Sequence, residues 1–198
     1  MNSGKSTALL QVAFNYEERD QRVLLAKPQV DTKGESKVVS RLGHEREVDF
    51  LIPHGANVRE LFSVVAAGDD PSALLEHVDV APVACLLIDE AQFLEPSQVE
   101  DLFRIAVLDG VPVIAYGIRT DFLTHAFPGS ARLLDLAHSL EELKTICRCG
   151  RKAIFNTRRI GGKFVFDGDQ VAIDGAQEVT YESLCGNCYL EASGGRLG

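Results

Sequence analysis

The chain has 198 residues, enough for one medium domain and a small appendage, and its 45% hydrophobic and 25% charged residues describe an ordinary globular protein. A net charge of −9 argues against non-specific binding to nucleic acid or anionic membranes, because both need basic surface, but it leaves room for a small anionic ligand held by a few local cations. No apolar run reaches the roughly 18 residues of a spanning helix and no secretory signal is read, so the expectation is a cytoplasmic location, where the five cysteines stand as metal ligands or buried thiols before disulfides.

In chain order, Leu9, Leu10, Val12, Ala13 and Phe14 suit a helix running from Thr7 to Asp20. Arg22 to Ala26 is a short continuous apolar run, the pattern of a buried parallel strand. Residues 29–43 are polar, carry Gly34, and read as mostly loop. Asn57 caps a predicted helix through Ala67, with Glu60 placed to complete a capping box. A short helix is expected over Pro71 to Val78, a second buried strand over Ala84 to Asp89, and an amphipathic helix over Pro96 to Leu108. Val111 to Tyr116 reads as a third strand ending at Gly117, and Ser130 to Ala137 as helix. Strands alternating with helices predict an α/β fold with a parallel sheet. Beyond Lys144 cysteines appear in pairs, glycines become frequent, and Lys163–Phe166 suggests a hairpin strand. A boundary is therefore expected there, giving a domain over 1–144 and a small lobe over 145–198.

Ser3-Gly4-Lys5-Ser6-Thr7 matches the second half of a phosphate-binding loop, G-x-x-x-x-G-K-[ST], whose first glycine would fall two residues ahead of Met1. Such a turn aims backbone N–H groups at phosphate oxygens; Lys5 would reach the β- and γ-phosphates and Ser6 would ligate Mg²⁺. Taken alone the fragment is equally a capped helix start. Leu86-Leu87-Ile88-Asp89-Glu90 favours the nucleotide reading: Asp89, at the carboxyl end of a buried strand, can hold Mg²⁺ directly or through water, and Glu90 is placed to take a proton from an attacking hydroxyl. The opposing reading is an acidic strand cap in water.

Cys147-x-Cys149 and Cys185-x-x-Cys188 offer four thiolates, the donor set of a tetrahedral Zn²⁺ site, in a lobe too small to be held by its own core. The C-x-C spacing is tighter than the usual C-x₂₋₄-C. Cys85, inside a predicted strand, reads as plain core.

In this order, Met1–Thr7, Ser40-Arg41-Leu42-Gly43, Asp89-Glu90-Ala91-Gln92-Phe93, Tyr116-Gly117-Ile118-Arg119-Thr120-Asp121-Phe122 and Tyr181-Glu182-Ser183-Leu184-Cys185 resemble the thymidine kinase family of the type with a zinc-bearing lasso domain. The likeness runs over almost the whole chain. It implies a P-loop NTPase-type parallel sheet with a small C-terminal zinc-binding lasso lobe, and transfer of the ATP γ-phosphate to the 5′-hydroxyl of thymidine, with deoxyuridine as a further substrate, in pyrimidine deoxynucleotide salvage for DNA synthesis. It implies Mg²⁺ with ATP, structural Zn²⁺, a homotetramer, and neither nucleic acid nor membrane as partner. Carried over by motif, Glu90 is the base; Ser3, Gly4, Lys5, Ser6, Thr7, Asp31 and Asp89 serve ATP and Mg²⁺; Met1, Phe93, Phe122, Phe127 and Tyr181 surround the nucleoside. The backbone near Val171, Ile173 and Gly175 reads the pyrimidine edge. Without the resemblance Phe122 and Phe127 read as ordinary core, and Arg119 stands equally as a phosphate contact or a partner of Asp121.

Two departures accompany the resemblance. Lys33 stands where the family has arginine two positions beyond its acidic residue. The first glycine of the loop and the strand leading into it do not precede Met1, so the expectation is a start further upstream, or, as the alternative, a nucleotide- and zinc-binding fold with impaired catalysis.

Overall fold

The computed structural model describes residues 3–30, 36–40, 43–68, 81–168 and 179–197. Helix α1 (Lys5–Glu17) leads into strand β1 (Arg22–Pro28); β2 (Lys37–Val39) and β3 (Glu45–Glu47) form an antiparallel pair; β4 (Phe50–Ile52) and α2 (Val58–Ala66) follow. Then come β5 (Val83–Ile88), a 3₁₀ turn over Ala91–Phe93, α3 (Pro96–Leu108), β6 (Val113–Ala115) and α4 (Pro128–Leu136). The main sheet has the order β4-β1-β5-β6, with every neighbouring pair parallel. The α/β reading with a parallel sheet is therefore the observed architecture.

The apolar runs of β1 and β5 become intelligible once both faces are followed. Side chains alternate across a strand. Leu24, Ala26, Leu86 and Ile88 point to one face, where α2 and α3 cover them with Val58, Phe62, Val99, Leu102 and Ile105. Val23, Leu25, Cys85 and Leu87 point to the other, under Leu9 and Ala13 of α1 and Val38 of β2. Cys85 is thus core, as its position in the run implies, and burial pushes its thiol up to about 11. Each fully buried leucine of this kind contributes about 1.5–3 kcal/mol of transfer free energy.

The helix boundaries follow local chemistry. Asn57 accepts the Glu60 N–H at 3.0 Å, so the expected N-cap forms. The reciprocal half of the box is altered: the Glu60 carboxylate receives the Asn57 side-chain amide at 3.2 Å rather than the Asn57 backbone N–H. At α3 the Gln98 side chain accepts the Glu95 backbone N–H at 3.1 Å, and Pro96 occupies the first turn, where its missing N–H is harmless.

The stretch 29–43, read from sequence as mostly loop, contains one short strand, β2. Lys37, Val38 and Val39 alternate partner and face: Val38 is buried while Lys37 pairs with Glu45 at 3.0 Å on the surface. Three residues with one buried side chain carry too little apolar periodicity to be seen. The same brevity hid β4. The helix expected over 71–78 lies outside the described residues.

Beyond α4, β7 (Thr145–Ile146) pairs with β8 (Lys152–Ala153), and a three-stranded antiparallel sheet has the order β10 (Lys163–Val165), β9 (Phe155–Ile160), β11 (Val179–Leu184), closed by α5 (Gly186–Ser193). The hairpin strand expected near 163–166 is β10. Leu184 and Tyr189 are its fully buried centre, with Phe155, Phe164 and Phe166 packed around them. Among the described residues no helix is long and apolar enough to cross a membrane.

One close approach fixes the start of α4. A Cβ on Gly129 would stand 2.4 Å from the Leu94 carbonyl oxygen and 3.0 Å from those of Ala91 and Gln92. These are backbone atoms that cannot swing aside. Gly129→Ala is expected to destabilise the protein by about 1–3 kcal/mol, read as a lower urea midpoint with unchanged slope; a midpoint equal to wild type would show that the two segments can separate freely.

Candidate active site and metal centre

Gly4 opens α1 in the left-handed region, at φ 74°, with nothing near the position of a side chain. That conformation is inexpensive only for glycine. It turns the chain into a 13-residue helix whose first N–H groups and positive dipole end lie at Lys5, Ser6 and Thr7. Ser3, Lys5, Ser6 and Thr7 are half-buried and Gly4 is exposed.

At the carboxyl end of β5 the Asp89 N–H donates to the Ala26 carbonyl at 3.0 Å, which continues the β1–β5 ladder one residue beyond the strand. The Asp89 side chain is 5% exposed, and its Oδ1 has no hydrogen-bond partner. Burial first, then the neighbouring Glu90 charge, push its carboxyl up to about 6 against a hydrogen bond with the Glu90 backbone and the smaller pull of Lys5 and Lys27. An orphaned, buried carboxylate oxygen is a fitting donor for a divalent cation.

Glu90 has φ 49°, the left-handed region in a residue with a side chain. Such a conformation costs on the order of 1–2 kcal/mol. It reverses the chain sharply, so that the half-buried Glu90 separates from Asp89 although the two are adjacent in sequence. Gln92 secures the turn. Its side-chain NH₂ donates to the Glu90 carboxylate, and its Oε1 accepts the Ile118 N–H at 3.2 Å. The amide is 2% exposed and spans two of the segments that carry the resemblance. Gly117 leaves room for it: a Cβ there would meet Gln92 Oε1 at 3.0 Å. Gln92 was missed as a site residue because an amide carries no chemical signature in sequence; only its two partners reveal its task.

The Asp89–Phe93 and Tyr116–Phe122 segments meet through backbone hydrogen bonds. Tyr116 N–H donates to Ile88 O at 2.8 Å and Ala91 N–H to Tyr116 O at 2.9 Å. Ser130 Oγ then donates to Ile118 O at 2.7 Å. Asp121 folds the following loop by accepting the N–H groups of Leu123 and His125, both at 2.9 Å. This brings Phe93 edge-on to Phe127, with ring centroids 5.6 Å apart, and buries Phe122. Arg119, on the same loop, is exposed. Tyr181 lies half-buried on β11, and the Tyr189 hydroxyl donates to the Phe122 carbonyl at 2.9 Å. Met1, Asp31, Lys33, Arg41, Leu42, Val171, Ile173 and Gly175 lie outside the described residues.

The second centre is formed by Cys147, Cys149, Cys185 and Cys188, whose sulfurs all lie within 4.8 Å of one another. Cys149 and Cys185 Sγ are 3.6 Å apart. Tetrahedral Zn–S bonds of about 2.3 Å require sulfurs about 3.8 Å apart, so the donor type, number and spacing fit zinc. The C-x-C pair is therefore no obstacle to convergence: Gly150, at φ 84°, turns the chain after Cys149, and the Gly150 N–H donates to Cys147 O at 2.8 Å. The thiols also shift one another. Burial acts to raise Cys147, but backbone N–H groups at Cys149 and Cys185 hold it down at about 6, while hydrogen bonding with the other thiols raises Cys188 to about 12.

The thymidine kinase family model matches residues 1–189. The chain is 45% identical over 191 residues to the thymidine kinase of Chromobacterium violaceum, covering 96% of this chain and 93% of that one. It is 46% identical over 197 residues to the thymidine kinase of Idiomarina loihiensis (98% and 94% covered), and 42% identical over 197 residues to that of Ruegeria pomeroyi (98% and 91%). With that match over nearly its full length, the chain belongs to the thymidine kinase family.

Proposed function

We propose that this protein is a thymidine kinase, which transfers the γ-phosphoryl group of ATP to the 5′-hydroxyl of thymidine, with deoxyuridine as a second acceptor. The observation that carries the reading is the Asp89–Glu90 turn. A buried carboxylate with one partnerless oxygen and a half-buried, amide-held carboxylate follow one another at the carboxyl end of a central strand, where open parallel sheets bind ligands. They do so in a chain 42–46% identical to bacterial thymidine kinases.

In this reading the N-terminus of α1 holds the phosphates, with Lys5 as the cation and the N–H groups of Ser3 to Thr7 as donors; Asp31 belongs to the same site. Ser6 and Asp89 would hold Mg²⁺, which supplies neutralisation of charge on the transferring phosphate. Glu90 accepts the proton of the 5′-hydroxyl as its oxygen attacks the γ-phosphorus and the bond from that phosphorus to the β,γ-bridging oxygen breaks, releasing ADP. Gln92 keeps that carboxylate aimed. Phe93, Phe122, Phe127 and Tyr181, with Met1, enclose the base, and aromatic faces suit a planar ring. The backbone near Val171, Ile173 and Gly175 reads the pyrimidine edge. Water exclusion by this wall favours transfer to the nucleoside over ATP hydrolysis.

The four cysteines hold a structural zinc that staples the small C-terminal sheet. The chain divides into a nucleotide-binding domain over 1–144 and a zinc-binding domain over 145–198, assembles as a homotetramer, and works in the cytoplasm in deoxynucleotide salvage. The family to which the chain belongs supports these assignments.

Glu90→Gln is expected to lower kcat for thymidine phosphorylation by about 10²–10⁴ while thymidine binding, measured calorimetrically, stays within a few-fold. Turnover that survives near the wild-type rate removes Glu90 as the base, and wild-type protein that binds both substrates without turnover supports an inert fold instead. Asp89 should leave a pH signature in the nucleotide-free protein. Its folded pKa is raised, so its ionisation destabilises the fold progressively as pH rises from its ordinary 3.8 through about 6. Asp89→Asn should therefore gain about 2–3 kcal/mol at pH 7.5 and nothing at pH 4, read from denaturant curves; an equal effect at both pH values would contradict the buried carboxylate. For the metal, elemental analysis should find one zinc per chain. A strong chelator should then strip amide-exchange protection from β9 and β11 but not from β1 and β5; full protection in metal-free protein would show that the lobe stands without it.

A further inference from the structure

We infer that Arg158 is the positioning residue that sets the base-facing walls of the nucleoside site, by bridging the C-terminal sheet to the 120–122 loop. This rests on the thymidine kinase reading, and it concerns a residue to which that reading gives no part.

Arg158 lies on the middle strand of the C-terminal sheet. Its cross-strand neighbours are Tyr181 on β11 and Val165 on β10. It is 3% exposed, an unusual position for a cation. The guanidinium carbon sits 3.8 Å from the centroid of the Phe122 ring and 6.0 Å from that of Tyr181. One planar group therefore touches one proposed wall of the base pocket and stands beside another, though the first comes from the turn after β6 and the second from β11, 59 positions apart in sequence.

The surrounding contacts point the same way. Asn156 is two residues away on the same strand and so on the same face. Its side-chain amide donates to the Thr120 carbonyl at 3.2 Å. The Tyr189 hydroxyl reaches the Phe122 carbonyl at 2.9 Å. These two bonds fix the backbone of the loop, and Arg158 fixes the ring that the backbone carries. The next residue, Arg159, alternates to the opposite face, over Phe164 at 4.4 Å and paired with Glu182 at 3.3 Å. It gives a control of equal chemistry that does not touch the site.

Filling this volume does not require a cation. An aliphatic side chain of the same length would do so without the cost of burying charge. What guanidinium adds is a rigid plane that stacks on an aromatic face and is less strongly hydrated than an ammonium group. Phe122 is held in one orientation, and Tyr181 keeps its distance from it. The width of the slot for a planar base follows from that spacing.

The test compares full-length, metal-loaded wild type with Arg158→Met, Arg158→Lys and Arg159→Met, measuring Kd and KM for thymidine and KM for ATP. Arg158→Met should raise thymidine Kd and KM about tenfold, with kcat and the KM for ATP within about threefold. Arg158→Lys, which keeps charge but loses the plane, should recover little; Arg159→Met should match wild type. A cycle with Phe122→Leu should be non-additive, the double variant binding thymidine about as well as the weaker single one. Thymidine binding unchanged in Arg158→Met overturns the inference. So does a parallel loss toward thymidine and ATP, or failure of both Arg158 variants to fold, since either marks a merely structural role. Wild-type protein that binds no thymidine overturns the kinase reading itself, a distinct result.

Discussion

The two adjacent parallel strands β1 and β5 are buried on both faces, and the position of every catalytic candidate in the main sheet depends on that burial. Val23 to Ala26 and Cys85 to Ile88 form two runs with no residue more than 4% exposed. Opposite faces are claimed by α1 on one side and by α2 and α3 on the other. A register slip would have to move whole sets of side chains into the wrong layer. The carboxyl end of β5 is consequently fixed relative to β1 and α1, and Asp89 emerges there with its N–H still in the ladder.

Around this rigid end the molecule accumulates unfavourable features. Asp89 is buried without a partner for one oxygen, Glu90 adopts a left-handed backbone, and Gly117 and Gly129 are pressed against Ala91 to Leu94. Each costs folding free energy, and each sharpens geometry. The left-handed turn separates two adjacent carboxylates into distinct surroundings, one desolvated and one held by the Gln92 amide. Strain of this sort persists only where surrounding contacts over-determine it, and here the hydrogen bonds from Tyr116, Ile118 and Ser130 do so.

The C-terminal sheet follows another logic. It has few buried apolar residues, and its centre is Leu184 and Tyr189 beside the four cysteines. Small units with so little core depend on covalent or metal cross-links. The sulfurs converge even though one pair has the short C-x-C spacing, because a left-handed Gly150 lets the chain double back. The lobe is joined to the catalytic side by Asn156, Arg158 and Tyr189, so order at the cysteines and order at Phe122 belong to one connected set of contacts.

Much of this was legible in the residue order. Continuous apolar runs marked the doubly buried strands, the Asn57 cap and Pro96 marked helix starts, and the cysteine pairs announced a four-thiolate site. Short strands escaped notice: three residues such as Lys37–Val39, with one side chain buried, produce no periodic signal. Sequence by itself determined the elements with strong periodicity, the reactive side-chain types and the family, since these depend on residue identity and local spacing. Tertiary structure alone decided that one oxygen of Asp89 lacks a partner, that Gln92 joins Glu90 to Ile118, and that Arg158 stacks on Phe122. Those facts depend on groups distant in the chain, and packing of both sheet faces is what brings them within reach of one another.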